Sequence, residues 1–230
     1  MIKAFIFDLD GTLLDTEILW VKAYIELLRR NGLSVRQMEA FRIVYGRSFN
    51  DVHLETIKCF PNLGWDSTRM LELFRAIFLE LGKDHDLRIP GSIFLLKKLA
   101  RQYPVCLVSG SSRADVNAGI RLAGITGELR FTLSSEDYKP GKPDPAGFLE
   151  AAGRLSIPPI QCLVFEDSAN GVTASKAAGM WCVALARSGR PAQDFSNADL
   201  ILDDLSKFSL SDFLLRRSSD KLPLCSIKMK

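Results

Sequence analysis

The chain has 230 residues, room for one large domain or two small ones. With 47% hydrophobic and 25% charged residues it reads as a soluble globular protein, and no apolar run approaches the ~20 residues that cross a bilayer. The net charge is +3, but from Arg216 onward five bases face one acid, so the remainder carries −1 and offers no nucleic-acid surface.

Ile2 to Phe7 (IKAFIF) is almost wholly apolar, which suits a strand covered on both faces. Only four apolar residues follow Lys3 before Asp8, too few for a secretory signal. Residues 17–81 read as helix. The stripe Ile18, Leu19, Val21, Ala23, Ile25, Leu27 and Leu28 stops at Asn31-Gly32, a helix-ending pair. Further helices are expected near 35–43, 51–59 and 68–81, and 82–90 is polar and irregular.

From Gly91 strands and helices alternate. Helix 92–101 precedes the strand VCLV (105–108), and helix 114–122 precedes a short run at 129–133. Helix 145–155 leads to CLVF (162–165), helix 171–178 to CVAL (182–185), and Leu200–Leu202 is a last strand. This alternation predicts an α/β fold, a doubly wound parallel sheet interrupted after its first strand by an all-helical insert. The expected division is a core of 1–16 and 88–215, a helical insert of 17–81, a linker of 82–87 and a loose basic tail of 216–230. The five cysteines show no CxxC or Cys/His spacing, and Cys106, Cys162 and Cys182 lie in strand-like runs. Buried reduced thiols in a cytoplasmic protein are the simplest account, with a monomer as the default.

Ligands of open parallel sheets sit beyond the carboxyl ends of the strands. Here one strand ends in Asp8-Leu9-Asp10-Gly11-Thr12, another in Ser109-Gly110-Ser111, and a third in Glu166-Asp167-Ser168. The period of an extended chain can point Asp8 and Asp10 to the same side. Two readings stand for that pair: acids and Gly suit a turning strand end, and paired carboxylates suit catalysis around a cation. Ser111 or Ser112 also suits a helix N-cap. Lys142, in KPGKPDP just ahead of a helix, is either a solvated loop lysine or a cation aimed at the same edge. Three apolar strands delivering acids and a hydroxyl to one edge weigh against turn chemistry alone.

DLDGT, the serine closing VCLVS, the GKPDP lysine and FEDSANG, in this order, resemble the four motifs of the haloacid dehalogenase-like (HAD) phosphohydrolase superfamily. The likeness covers the core, and the insert resembles that family's type 1 helical cap. DTE after the first motif and EDSANGV…AAGM resemble the sugar-phosphatase and β-phosphoglucomutase-like group. The resemblance implies a Rossmann-like core and a Mg²⁺-dependent phosphatase that forms a phospho-aspartate. It implies Asp8 as nucleophile and Asp10 as acid and base. The metal is expected on Asp8, the Asp10 carbonyl, Glu166 and Asp167. Phosphate is expected on the N–H groups of Ser109 and Gly110 and on Lys142. The implied partner is a small phosphate ester of the sugar-phosphate kind, with no nucleic acid and no membrane.

Specificity is expected in the insert, where Arg47 suits phosphate or hydroxyls and Trp20 suits an apolar wall. Surface and core roles are the ordinary alternatives for those two residues. The mutase-type relatives place a histidine shortly after DTE, where this chain reads Ile18-Leu19-Trp20. That departure favours a hydrolase over a hexose phosphomutase. A non-enzymatic phospho-acceptor switch is the rival of another class, but such a module is about half this length and lacks the insert.

Overall fold

The computed structural model describes residues 1–47, 49–83 and 85–219. Strands β1 (Ala4–Phe7), β2 (Val105–Val108), β3 (Thr132–Leu133), β4 (Cys162–Glu166), β5 (Trp181–Leu185) and β6 (Leu200–Leu202) form one parallel sheet. Their spatial order is β3-β2-β1-β4-β5-β6. The chain therefore winds outward in one direction from β1 and then resumes on its other side at β4. A crevice opens at such a reversal, beyond the carboxyl ends of the strands.

Between β1 and β2 lie α1 (Thr16–Arg30), α2 (Gln37–Val44), α3 (Phe49–Cys59) and α4 (Ser67–Gly82). They enclose a core of their own, including Tyr24, Leu27, Leu28, Ala40, Ile43, Met70, Phe74 and Ile77. The helix-ending pair acts as anticipated: the Asn31 side chain donates to the Leu27 carbonyl at 2.8 Å, and Gly32 takes a φ of 74° that suits glycine. Entry and exit of this helical unit are bonded together, since Asp15 N donates to Leu87 O at 2.7 Å and Ile89 N to Leu13 O at 2.9 Å. The Asp15 carboxylate also receives Arg187 and Arg190 from the loop after β5.

The core helices are α5 (Pro90–Ala100), α6 (Arg113–Ala123), α7 (Ala146–Leu155), α8 (Ala169–Ala177) and α9 (Leu210–Ser219). Strand periodicity divides the apolar runs between two layers. Phe5, Phe7, Leu107 and Phe165 face Leu95, Leu96, Val116 and Phe213 on one side. Ala4, Ile6, Cys106 and Val164 face Phe148, Ala151 and Ala174 on the other. Both faces are covered, which is why these strands lack polar alternation. Cys106, Cys162 and Cys182 are buried free thiols, and burial pushes Cys162 up to about 11 and Cys182 up to about 12. Helix α9 has no counterpart among the elements expected from sequence. It is held by Phe213, buried against Trp181 and Phe208, and runs to Ser219, inside the stretch expected to be loose. Residues 220–230 lie outside the described residues.

Candidate active site

Three neighbouring strands, β2, β1 and β4, carry the strand-end groups to one crevice. Asp8 directly follows β1 and its N–H still bonds Phe165 O at 3.0 Å, so the ladder fixes its backbone. Glu166 closes β4 and Asp167 follows it. One oxygen from each of Asp8, Glu166 and Asp167 lies within 4.8 Å of the others, and all three side chains are buried. Lys142 arrives from the loop before α7 and donates to Asp8 Oδ1 at 2.6 Å, Glu166 Oε1 at 2.5 Å and the Val108 carbonyl at 3.2 Å.

Three buried carboxylates thus meet one ammonium. Burial raises the Asp8 carboxyl well above its usual range, Lys142 opposes the rise, and Glu166 and Asp167 add to it. Burial likewise raises Asp167, with Glu166 and Glu17 adding and Thr12 opposing. Burial works against the charge on Lys142, but Asp8 and Glu166 prevail and hold its pKa above the usual lysine value.

The hydrogen bonds separate the acids. Glu166 is engaged on both oxygens: Oε1 takes Lys142, while Oε2 accepts from Asp167 N, Ser168 N and Ser168 Oγ at 2.9–3.1 Å. Asp167 accepts from Thr12 Oγ1 at 3.2 Å through Oδ1. The Oδ2 atoms of Asp8 and Asp167 receive none of these bonds. All the donors are hard oxygens, a set that fits Mg²⁺ or a similar divalent ion and not a soft metal. The neighbouring glycines are sterically required. A Cβ on Gly11, whose φ is 86°, would stand 1.9 Å from Asp167 Oδ2, and one on Gly171 would stand 1.9 Å from Glu166.

Asp10 sits two residues beyond Asp8 and accepts from Thr16 Oγ1 at 2.6 Å, Ser111 Oγ at 2.6 Å and Ser109 Oγ at 3.3 Å. Ser112 caps α6, accepting from Asp115 N, so the two N-cap candidates divide the work. One expectation is corrected. The Ser109 N–H is not available to phosphate, because it donates to Leu133 O at 2.9 Å in the ladder between β2 and β3. Ser109 presents its hydroxyl to the site instead.

A cavity of about 600 Å³ stands over these groups, lined on the core side by Asp8, Asp10, Gly110, Ser111, Lys142 and Asp167. Trp20 and Arg47 line it from the helical unit. Arg47 is exposed and its Nη1 bonds the Arg42 carbonyl at 3.4 Å. Arg75 of α4 pairs with Asp115 of α6 and so bridges the helical unit to the core beside the cavity.

Sequence reading missed Thr12, Thr16 and Glu17. The two threonines look like turn residues, and only closure of the loop turns their hydroxyls onto Asp167 and Asp10. Glu17 lines the cavity and accepts from Gly46 N at 2.9 Å through Oε2. Burial pushes its carboxyl up to about 8 from 4.5, the Gly46 N–H opposes, and Asp10 and Asp8 add to the rise. A carboxyl raised in the folded state contributes stability that is full below about 4.5 and is lost as pH rises through 8. Glu17→Gln is therefore expected to stabilise the metal-free protein by roughly 2–4 kcal/mol near pH 9 and hardly at all near pH 5. Denaturant melts at the two pH values check this, and a variant destabilised at both would refute it.

Fold and site together define an α/β protein with an acidic, lysine-bridged centre at the switch point of its sheet. The model of the haloacid dehalogenase-like hydrolases matches residues 2–179, and the chain belongs to that family. It is accordingly an enzyme. Among its relatives, the validoxylamine A 7′-phosphate phosphatase of Streptomyces hygroscopicus subsp. limoneus is 28% identical over 208 residues, covering 90% of this chain and 96% of the relative. A probable pseudouridine-5′-phosphatase of Drosophila melanogaster is 33% identical over 227 residues, covering 94% and 95%. In fold, the crystal structure of β-phosphoglucomutase from Clostridium difficile matches with a TM-score of 0.75 at 24% identity, covering 96% of this chain and 99% of that one. No described helix is long and apolar enough to cross a membrane.

Proposed function

We propose that this hydrolase is a Mg²⁺-dependent phosphatase that releases phosphate from a small phosphate monoester, of the sugar-phosphate kind, through a phospho-aspartate on Asp8. The observation that carries the reading is the convergence of Asp8, Glu166 and Asp167 on one point with Lys142 bridging two of them. The phosphatase activities named for the relatives support it.

In this reading an oxygen of Asp8 attacks phosphorus and the bond to the leaving alcohol breaks, splitting one hard hydrolysis into two easier steps. Asp10 passes a proton to the leaving oxygen. In the second step Asp10 takes a proton from water as that water displaces the Asp8 carboxylate. A hydroxyl both donates and accepts, so Thr16, Ser109 and Ser111 can hold Asp10 in either protonation state. Lys142 draws on the ester's negative charge and orients Asp8. Mg²⁺, held by Asp8, the Asp10 carbonyl and Asp167 with Glu166 completing the acidic set, would neutralise charge on the transferring phosphoryl group. Glu166, with both oxygens already bonded, chiefly positions Lys142 and the start of α8.

The helical unit acts as a cap whose lining selects the ester, with Arg47 and Trp20 among the contacts. A hexose phosphomutase is the alternative, in which phosphate returns to sugar. Among the described residues lining the cavity there is no histidine to shuttle that proton, and His53 lies away on α3, with Nε2 bonded to the Trp65 carbonyl at 3.1 Å. One chain supplies every group used, and its buried free thiols suit a reducing, cytoplasmic setting.

A panel of metabolite phosphates is the direct test, read as free phosphate against isomerised ester. Free phosphate is expected, and chelation is expected to cut its release roughly 100-fold or more, with Mg²⁺ restoring it. An isomer without free phosphate would establish the mutase, and chelator-insensitive release would dismiss the metal.

A further inference from the structure

The two sides of the cavity differ in chemistry. Its floor carries the charged groups already described. The helical unit lines the cavity wall with an apolar patch of Trp20, Phe49, Val52, Leu71 and Phe74, beside the polar Tyr45, Arg47 and Arg75. Trp20 stacks on Phe78 with ring centroids 3.8 Å apart and meets Phe74 edge-on at 4.8 Å, and Phe49 leans towards Phe74 at 6.3 Å. The wall is thus braced by the packing of α1 and α4 and stands ready-formed. Glu17 stands at the same cavity, with Oε2 held by the Gly46 N–H.

Phosphate binds on the floor, so whatever meets the wall belongs to the leaving group. At about 600 Å³ the cavity exceeds what a phosphate or a triose fills, and it lies within the range of sites for larger metabolites. A sugar hydroxyl pressed against Trp20 or Phe49 loses water without gaining a partner, a loss of about tenfold or more in affinity for each. A flat unsaturated ring sheds little water there and gains stacking on the aromatic faces. An alkyl chain shares the desolvation gain but not the stacking. A hydroxyl placed between phosphate and ring both donates and accepts, so it can pair with Glu17 in either protonation state.

We propose that the leaving group of the substrate is a hydroxylated segment ending in a flat unsaturated ring, with the ring on the wall of Trp20 and Phe49, backed by Phe74, and a hydroxyl paired with Glu17. This rests on the phosphatase reading of the same site. The test compares esters that share a phosphate end and differ in the ring: ribose 5-phosphate against uridine 5′-monophosphate, and ribitol 5-phosphate against riboflavin 5′-phosphate. The ring-bearing member of at least one pair is expected to show a kcat/KM about tenfold higher or more. Trp20→Leu and Phe49→Leu are each expected to cut that preference at least about threefold, chiefly through KM of the ring ester. A ratio of two substrates on one preparation does not depend on how much of a variant has folded. Equal or reversed preference in both pairs, or a preference untouched by both variants, overturns the ring proposal while phosphate release upholds the phosphatase reading. No phosphate from any of the four esters overturns the ring proposal, and the phosphatase reading falls with it only when the wider metabolite panel releases none either.

Discussion

Asp8→Asn is expected to lower phosphate release by at least roughly four orders of magnitude while the protein stays folded. The amide preserves the volume and the backbone N–H bond to Phe165 O, so β1 and its ladder are unaffected. It removes the charge and the oxygen nucleophile, and the remaining groups have nothing to which phosphate can be transferred. Stability should hold or rise in metal-free protein, because burial and the neighbouring Glu166 and Asp167 disfavour the Asp8 carboxylate. Phosphate release and a thermal melt on the same preparation decide the matter. Turnover within tenfold of the parent would exclude the covalent step on Asp8.

Lys142→Met should do damage of a second kind, to the fold as well as to the reaction. The ammonium donates to Asp8, Glu166 and the Val108 carbonyl, and the Glu166 side chain is 0% exposed. Without it two buried acids face each other with no cation. Breaking such a pair costs about 3–5 kcal/mol, which in a protein of this size lowers Tm by roughly 6–20 °C. The sign of the pH dependence follows from the Asp8 carboxyl. Deprived of Lys142, which opposes the rise, Asp8 titrates higher still in the folded state, so its contribution is intact at low pH and is lost as pH rises. The deficit against the parent is therefore expected to shrink on acidification and to shrink again on adding Mg²⁺. A deficit independent of both would mean that Lys142 acts by packing alone, for instance over the Phe148 ring, 5.3 Å from its Nζ.

Much of this architecture is legible in local patterns. AFIF, VCLV and CLVF are short apolar runs between helical periods, and a parallel sheet with both faces covered is the arrangement that buries them. α9 went unread because LSDFLLRRSS is polar overall, ends in four polar residues and depends on one buried anchor, Phe213. Of the site, Asp8, Asp10, Lys142, Glu166 and Asp167 stand out as acids and a base at strand ends or a helix start, whereas Thr16 and Glu17 do not.

Strand ends are properties of the chain, so the sequence alone placed Asp8, Ser109 and Glu166 at one edge of a sheet and the helical insert directly after the first strand. Hydrogen-bond partners are properties of the closed fold. Whether Ser109 presents its N–H or its hydroxyl to the crevice turns on the register of β2 against β3, and the paired state of Lys142 turns on Asp8, 134 residues away in the chain. The packing of α1 against α4 likewise decided that Trp20 lines the cavity. Local periodicity says which way a backbone runs and which face is apolar. Donors, acceptors and walls are matched only when distant segments exclude water from the space between them.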